Sequence, residues 1–265
     1  MNRKTFLKSL IFAGGATLIG GSAYARYSVD LEISRQQVPL SGLDRKIRVV
    51  ALSDLHAPCY YICTPELIRT INEQKPEVLI LAGDMFNEPD FEETVNEFKN
   101  AESTYAKLAV AGNWEYKLNL DLKHLKSAYA DAGIEWLFNS TCEVKGLKIA
   151  GLDDLVHGSP DYRLAAEICG SASPGLIISH CPGNFGRISA PARSSKLVIS
   201  GHTHGGQIAP FGIPLVTPPG SGPYVKGWYR RGQNLMYVMR GVGASYMPIR
   251  IGSRPELLVL DLIAA

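Results

Sequence analysis

Short apolar runs rich in β-branched side chains recur along the chain, a pattern that predicts buried strands. The clearest runs occupy residues 46–52, 78–82, 107–111, 148–152, 176–179 and 196–200. A run of mixed alternation at residues 29–38 predicts an edge strand, and residues 236–239 and 256–263 predict closing strands. Helical segments separate the first strands, whereas the later strands follow one another. This order predicts an α/β protein built as a layered sandwich.

Three helices are predicted between the early strands. The first opens with Thr64 as its N-cap and Pro65 as its first helical residue, because proline suits that position. The other two are expected over residues 91–100 and 120–132, the last closed by Gly133.

Length and composition indicate one globular domain. The chain has 265 residues, of which 46% are hydrophobic, and this is enough to bury a large core. The net charge of +2 is too small to indicate nucleic-acid binding, for which a clustered basic face is expected. We therefore expect residues 28–265 to form a single domain with no nucleic-acid partner.

The five cysteines do not form the pattern of a disulfide framework, because their number is odd and their positions are scattered. Cys59 and Cys63 lie four apart, but no second close pair completes a zinc-type set. We interpret the cysteines as buried or neutral thiols.

Residues 1–27 have the composition of a targeting segment. A basic start that includes Arg3 and Lys4 is followed by an apolar, glycine-rich run and a small-x-small pattern at residues 23–25. The start resembles a twin-arginine export signal in which Lys4 replaces the second arginine. We expect a signal peptide or membrane anchor, and hence an exported or membrane-associated protein. The alternative is a cytoplasmic protein with an apolar start.

Polar residues that can bind metal ions follow five of the predicted strands. Sites in open α/β sheets assemble at the carboxyl ends of strands, so these side chains are expected in one cleft. The residues are Asp54, His56, Asp84, Asn113, His180, His202 and His204. A lone Asp after a strand is usually a cap, and a lone His is usually structural. The recurrence of the set favours a metal site.

The residue types fit a site with two divalent ions about 3.5–4 Å apart. Such a site needs a bridging ligand, and Asp84 lies between the earlier and the later candidates in the chain. Imidazole and carboxylate ligands suit Mn, Zn, Fe and Ni without choosing among them. His202 and His204, two apart on an extended segment, would point to the same side. A metal pair of this kind activates water and stabilises charge on a phosphoryl group.

These motifs resemble those of the calcineurin-like metallophosphoesterases over residues 46–208. The resemblance rests on Asp54-Leu55-His56, Gly83-Asp84, Gly112-Asn113, His180 and Gly201-His202-Thr203-His204. It implies a four-layer α/β/β/α sandwich and two metal ions. One ion would be held by Asp54, His56, Asp84 and His204. The other would be held by Asp84, Asn113, His180 and His202.

One residue departs from the family pattern. The family usually places His after Gly-Asn, where it stabilises the transition state or protonates the leaving group, and this chain has Trp114. An indole N–H donates a hydrogen bond but cannot supply a proton. Trp114 therefore favours a substrate with a good leaving group, such as a pyrophosphate or an activated ester. Glu115 or Tyr116 as a substitute acid, and Trp114 packed against the sheet, remain alternatives.

The region after the last motif resembles a membrane-associated branch of the family. That branch includes an exported phosphodiesterase and UDP-2,3-diacylglucosamine diphosphatases of lipid A biosynthesis. The resemblance rests on residues 205–208, 227–229 and 240–243. Apolar residues among prolines over 210–219 could form a lip, and Arg230 with Arg231 could meet anionic headgroups. An ordinary surface loop is the alternative.

Three functions remain open from the sequence. The first is hydrolysis of phosphodiester or pyrophosphate bonds in a small-molecule or lipid substrate, with a UDP-2,3-diacylglucosamine-like compound as one candidate. The second is a non-catalytic metal-binding scaffold, motivated by Trp114. The third is a general phosphomonoesterase or protein phosphatase, which Trp114 disfavours because alkoxide leaving groups need an acid.

Overall fold

The computed structural model describes residues 30–188 and 196–265. The predicted signal peptide or anchor of residues 1–27 lies outside the described residues. The strands are β1 (Glu32–Leu40), β2 (Ile47–Leu52), β3 (Val78–Ala82), β4 (Ala106–Val110), β5 (Glu135–Trp136), β6 (Ser140–Val144), β7 (Leu147–Gly151), β8 (Gly175–Ile178), β9 (Leu197–Ser200), β10 (Gly227–Arg231), β11 (Asn234–Val238) and β12 (Glu256–Ala264). The α-helices are α1 (Thr64–Glu73), α2 (Glu92–Glu97), α3 (Asn113–Lys117), α4 (Leu122–Asp131), α5 (Tyr162–Gly170) and α6 (Phe185–Ile188).

The strands form two six-stranded sheets of mixed direction. The first has the order β1-β12-β2-β3-β4-β5, in which β2 to β5 are parallel and β12 runs antiparallel to β2. The second has the order β10-β11-β9-β8-β7-β6, in which β7, β8, β9 and β11 are parallel. Strand β12 therefore lies between β1 and β2, second from one edge of the first sheet.

The two sheets pack face to face across an apolar core. Side chains of one face of β2, β3 and β4, such as Val49 and Ile80, pack against Ile149, Ile178 and Ile199 of the second sheet. All five are fully buried. Close-packed apolar side chains on both inner faces hold the sheets together as a sandwich.

Helices cover both outer faces of the sandwich. Helices α1, α2 and α4 pack on the first sheet through apolar side chains that include Leu67, Ile71 and Leu125. Helices α5 and α6 cover the second sheet through residues that include Ile168 and Phe185. The layers are thus helix, sheet, sheet and helix, and the predicted α/β/β/α fold is confirmed.

Some local predictions differ from the structure. Cys63, and not Thr64, is the N-cap of α1, and Thr64 is the first helical residue. The prediction of an N-cap rested on a hydroxyl side chain, but the Cys63 carbonyl accepts the first turn's hydrogen bonds and no side chain caps this end. Strands β5, β6 and β10 and helix α5 were not predicted, because their patterns are short or partly exposed.

All five cysteines are free, in agreement with the absence of a disulfide pattern. Cys169 and Cys181 are buried and Cys63 is exposed, so the part of the interpretation that concerns buried thiols is confirmed for Cys169 and Cys181. Among the described residues, no helix is both long and apolar enough to span a bilayer.

Candidate metal centre

The seven predicted metal-binding residues lie together at the carboxyl ends of strands from both sheets. Asp54 and His56 follow β2, Asp84 follows β3, and Asn113 begins α3 after β4. His180 follows β8, and His202 and His204 follow β9. The two sheets therefore meet at one edge, where the strand-end residues form a single cluster.

The backbone around this cluster is held in an uncommon conformation. Five of the seven residues have φ in the left-handed region, at 52° for Asp54, 49° for His56, 55° for Asp84, 73° for His202 and 51° for His204. Non-glycine residues adopt this region rarely, and such strain concentrates at functional sites. All five residues lie in the segments that follow β2, β3 and β9.

Asp54, His56 and His204 form the first part of the cluster. His56 Nε2 lies 3.2 Å from His204 Nε2, and His204 Nε2 lies 3.5 Å from Asp54 Oδ1. The Asp54 carboxylate is held in place by the backbone N–H of His202, which donates to both of its oxygens at 3.0 Å. All three side chains are buried.

Asn113, His180 and His202 form the second part. Asn113 Oδ1 lies 2.8 Å from His202 Nδ1 and 3.3 Å from His180 Nε2. These two ring nitrogens are 3.2 Å apart. The remaining nitrogens are held by backbone carbonyls, because His180 Nδ1 lies 2.8 Å from Ala82 O and His202 Nε2 lies 2.7 Å from Pro219 O. Carbonyl partners of this kind fix the ring and leave the other nitrogen for a metal.

Asp84 lies between the two parts. Its Oδ2 is 3.2 Å from His180 Nε2 and 3.9 Å from His56 Nε2. Its Oδ1 accepts the backbone N–H of Trp114 at 2.8 Å. One carboxylate oxygen thus faces both groups of imidazoles, while the other is held by the backbone.

The donor set fits divalent metal ions. Two facing imidazole nitrogens can share only one proton, yet this cluster contains two such pairs at 3.2 Å, His56 with His204 and His180 with His202. A cation that contacts both members of a pair satisfies both lone pairs. Nitrogen ligands at about 2.0–2.1 Å from one ion would lie about this far apart.

Burial and mutual charge set the protonation of the cluster. Burial lowers the pKa of His56 to about 4, and burial together with His56 lowers the pKa of His204 well below its ordinary value. Burial raises the pKa of Asp84, but the charge and hydrogen bond of His180, together with the charges of His56 and His202, outweigh burial and lower that pKa to about 2. Burial likewise lowers the pKa of His180, but Asp84 raises it well above its ordinary value. His56 and His204 are therefore neutral imidazoles, the form that binds metal.

Two glycines allow the strand ends to approach closely. A Cβ on Gly112 would collide with Asp84 Oδ1 and lie 2.6 Å from the Asp84 backbone nitrogen. A Cβ on Gly83 would lie 2.7 Å from both His180 Nδ1 and the Gly112 nitrogen, and Gly83 has a φ of +85°. A side chain at position 112 would displace Asp84, and one at position 83 would displace His180 or the turn after β4.

Glu115 stabilises the backbone around Asp84 and Gly112, a role that was not predicted from the sequence. Its carboxylate accepts three backbone N–H groups, those of Gly112 at 2.8 Å, Met85 at 2.9 Å and Asp84 at 3.1 Å. Burial and the neighbouring Asp84 raise the pKa of Glu115 to about 7. The side chain ties the turn after β3 to the turn after β4. Its position three residues after the N-cap Gly112 is the spacing of a capping box, a signal that could have indicated this contact.

Trp114 does not pack against the sheet. Its ring meets the His56 ring edge-on, with centroids 4.8 Å apart, and meets the Tyr246 ring in a similar way at 5.4 Å. The Lys117 ammonium lies 4.9 Å from the Trp114 ring centroid. Trp114 therefore borders the metal cluster and is half-buried there.

The two candidate substitute acids are placed away from this role. Glu115 is buried, and its carboxylate is fully engaged by backbone N–H groups. The Tyr116 hydroxyl donates to Asp153 at 2.5 Å, and burial followed by this contact raises the pKa of Tyr116. Both groups are engaged by other partners, so the interpretation of either as a substitute acid is disfavoured.

Arg250 is a further buried residue that the sequence did not indicate. Its Nη2 lies 3.2 Å from His204 Nδ1, and its guanidinium donates to the carbonyls of Arg240, Gly243 and Ser253. Burial lowers the pKa of Arg250 to about 10. The guanidinium thus positions the His204 ring through the loop that precedes β12.

A sequence profile of the calcineurin-like phosphoesterases matches residues 47–206. The match covers more than half of the chain and contains all seven residues of the cluster. The chain belongs to this family, and it is a metal-dependent hydrolase of the metallophosphoesterase and phosphodiesterase class.

Named relatives support the same class. The chain is 30% identical over 284 residues to the uncharacterized metallophosphoesterase YkuE of Bacillus subtilis (strain 168), covering 99% of this chain and 98% of the relative. It is 28% identical over 233 residues to the phosphodiesterase YaeI of Escherichia coli (strain K12), covering 82% of each. It is 26% identical over 241 residues to the uncharacterized metallophosphoesterase Cj0846 of Campylobacter jejuni. That alignment covers 87% of this chain but only 63% of the relative, so the chain spans less than two thirds of that protein.

Proposed function

We propose that this protein is a binuclear metal-dependent hydrolase of phosphodiester or pyrophosphate bonds. The observation that carries the proposal is the position of Asp84 Oδ2, which faces His180 Nε2 at 3.2 Å and His56 Nε2 at 3.9 Å. A single oxygen between two groups of imidazoles is the arrangement that a bridging ligand requires.

The seven side chains divide into two ligand sets that share Asp84. One set is Asp54, His56, Asp84 and His204, and the other is Asp84, Asn113, His180 and His202. When bound, the metals would supply an activated water and stabilise charge on the phosphoryl oxygens. Mn, Zn, Fe and Ni all suit this mixture of imidazole, carboxylate and amide ligands.

The chain's own residues perform the positioning. Trp114 N–H orients the Asp84 carboxylate, and Glu115 holds the Asp84 backbone N–H. The carbonyls of Ala82 and Pro219 orient the His180 and His202 rings. These contacts keep the donor atoms within the spacing that common ions require. A site fixed in advance in this way needs little reorganisation when substrate binds.

Trp114 beside the metal cluster indicates which type of phosphate bond the protein cleaves. Trp114 lies against His56, and neither Glu115 nor Tyr116 is free to protonate a leaving group. General acid catalysis usually contributes about 10²–10⁴-fold, most of all for basic leaving groups. A phosphate leaving group is stable without a proton, and this favours pyrophosphates and activated diesters over alkyl monoesters.

Within this class, we favour a lipid-linked nucleotide-diphosphate sugar of the UDP-2,3-diacylglucosamine kind. The support is the sequence resemblance of residues 205–208, 227–229 and 240–243 to the branch with such substrates. An exported or membrane-associated location, proposed from residues 1–27, agrees with a lipid substrate.

A substrate panel with defined metals tests the proposal. The purified full chain, loaded with Mn, Zn, Fe or Ni, should hydrolyse bis-p-nitrophenyl phosphate and a UDP-sugar pyrophosphate bond faster than an alkyl phosphomonoester such as glycerol phosphate. Metal content per chain should reach two ions. Absence of turnover with metal bound would contradict the enzymatic proposal. A preference for the alkyl monoester would contradict the leaving-group argument.

A further inference from the structure

Two surface segments beside the metal cluster expose an unusual amount of apolar surface. Of the twelve large hydrophobic side chains that are exposed in the described residues, seven lie on these segments. They are Phe211, Ile213, Leu215 and Val216 on the first segment, and Tyr246, Met247 and Ile249 on the second. Together we name them the apolar rim. Scattered apolar side chains are normal on a surface, but a concentration of this kind marks an interaction site.

The two segments form one surface because the backbone ties them together. Ala209 N–H donates to the Ile251 carbonyl at 2.7 Å, and Ile251 N–H donates to the Gln207 carbonyl at 2.9 Å. The Gln207 side-chain amide donates to the carbonyls of Ser245 and Met247 at 3.1 Å each. These hydrogen bonds hold the two segments of the apolar rim together as one continuous surface.

The backbone presents two aromatic rings outward at a conformational cost. Phe211 has a φ of 56° and is 95% exposed, and Tyr246 has a φ of 59° and is 76% exposed. Bulky residues rarely adopt left-handed φ, and this strain typically costs about 1–3 kcal/mol per residue. The Phe211 ring is almost fully exposed and offsets little of this cost by packing within the molecule, so its strained conformation points to a role in contact with another surface.

The rim is continuous with the metal cluster. Tyr246 packs on Trp114, and Trp114 packs on His56. At the base of the second segment, Arg250 Nη2 lies 3.2 Å from His204 Nδ1. A surface that contacts the rim would thus lie directly beside the reaction centre.

The rim segments carry no negative charge. From residue 168 to residue 255, a stretch that contains both segments, the sequence has no Asp or Glu. The exposed Lys117 ammonium contacts the Tyr246 hydroxyl and lies 4.3 Å from the ring centroid. Apolar side chains beside an exposed lysine, with no carboxylate in their own segments, suit a bilayer with anionic headgroups.

We propose that the apolar rim docks on an anionic lipid bilayer and places the metal centre at the headgroup level. Insertion of the rim would bury its apolar side chains in the headgroup and acyl boundary, where Tyr and Phe side chains are favourable. Docking is measured without turnover, so it can succeed or fail independently of the proposed hydrolysis.

Quenching by brominated lipid tests contact at one position. The full-length Phe211→Trp variant is mixed with phosphatidylcholine–phosphatidylglycerol vesicles that contain brominated phosphatidylcholine. Tyr105→Trp is the matched control, because Tyr105 is also exposed but lies at the opposite, amino end of the parallel strands. After subtraction of wild-type fluorescence, the added Trp at position 211 should be quenched and the one at position 105 should not. No quenching at 211, or equal quenching at both positions, would overturn the docking surface.

Vesicle partitioning tests the energy of the contact. Phe211→Ser combined with Leu215→Ser should weaken binding of the full chain to anionic vesicles by about 10- to 100-fold, given the apolar area removed. Tyr105→Ser should leave it unchanged. Equal binding by wild type and the double variant would contradict the proposal, since residues 1–27 or another surface would then carry the attachment.

Turnover of a soluble ester separates the two proposals. The Phe211→Ser, Leu215→Ser variant should hydrolyse bis-p-nitrophenyl phosphate at the wild-type rate, because both residues lie outside the metal ligand sets. If wild type binds vesicles through the rim but hydrolyses no soluble ester, the proposed function fails and the docking surface stands. If the ester is hydrolysed but position 211 is not quenched, the docking surface fails alone.

Discussion

The backbone N–H of Trp114 donates to Asp84 Oδ1 at 2.8 Å and leaves Asp84 Oδ2 facing both groups of imidazoles. Trp114 departs from the family pattern in its side chain, but its backbone N–H still orients a residue of the metal cluster. Substitution at position 114 should alter leaving-group preference without removing this hydrogen bond. The two contributions of the residue can be separated by experiment.

Asp84→Ala should abolish activity and metal binding together. A bridging carboxylate serves both ions, so its loss should lower turnover by at least about 10³-fold, as loss of a key transition-state contact does at its upper end. Metal per chain, measured by inductively coupled plasma mass spectrometry, should fall from two ions towards none. Asp131→Asn, at an exposed carboxylate in the last turn of α4, is the control and should keep both ions. Two ions per chain in Asp84→Ala would contradict the bridging assignment.

Trp114→His should raise phosphomonoesterase activity. An imidazole beside the cluster can protonate an alkoxide leaving group, which contributes up to about 10²–10⁴-fold, whereas pyrophosphate cleavage should change little. The ratio of kcat/KM for p-nitrophenyl phosphate, an alkyl phosphate and a UDP-sugar measures this shift, with the alkyl ester gaining most. Trp114→Phe, which keeps an aromatic ring against His56, should not reproduce the gain. If both variants behave alike, the leaving-group argument is wrong.

Glu115→Gln should loosen the metal site without removing a ligand. A carboxylate accepts all three backbone N–H groups, while an amide has one acceptor oxygen and turns its NH₂ group towards donors. The mismatch should cost about 1–3 kcal/mol of stability and weaken metal affinity by about 10- to 100-fold. Thermal unfolding and metal titration measure the two effects. Glu92→Gln, at an exposed carboxylate of α2, should leave both quantities at the wild-type value.

Gly112→Ala should damage the centre through a single methyl group. The new Cβ would overlap Asp84 Oδ1 and crowd its backbone nitrogen, so the turn after β3 must move. We expect loss of metal binding and a fall in stability of about 1–3 kcal/mol, as is usual for overpacking. Gly170→Ala is the matched control. Gly170 is the last residue of α5, and no atom lies within 4 Å of a Cβ placed there. It should be neutral or slightly stabilising, and equal damage in both variants would refute the steric explanation.

Removal of metal should lower thermal stability. The cluster buries Asp and His side chains whose lone pairs face one another, and bound cations relieve this repulsion. Ligand binding to the folded state stabilises it by about 2.7 kcal/mol when the free metal is at 100 times its Kd. Melting temperatures with and without a chelator, followed by restoration with Mn or Zn, measure the effect. An unchanged melting temperature after complete chelation would show that the site does not bind metal tightly.

The layered fold and the positions of the cluster residues could be predicted from local sequence. Buried strands such as β3 are continuous apolar runs, and their ends are marked by glycine followed by a polar residue, as at Gly83 and Asp84. Parallel strands align their carboxyl ends, so residues at those ends converge without any knowledge of their partners. Short or half-exposed elements such as β5 and β10 carry no such pattern, and they were missed.

Contacts between segments distant in the chain required the tertiary structure. Strand β12 lies beside β2 in the first sheet, and the loop before it is tied to the turn after β2, where Gly243 N–H donates to the Asp54 carbonyl at 2.7 Å. This pairing brings Arg250 to His204 and Tyr246 to Trp114. The sequence by itself determined which residues end the strands, because hydrophobic runs and turn residues are local. Only the sheet order decided what surrounds them, because strand pairing between remote segments depends on packing that no local pattern records.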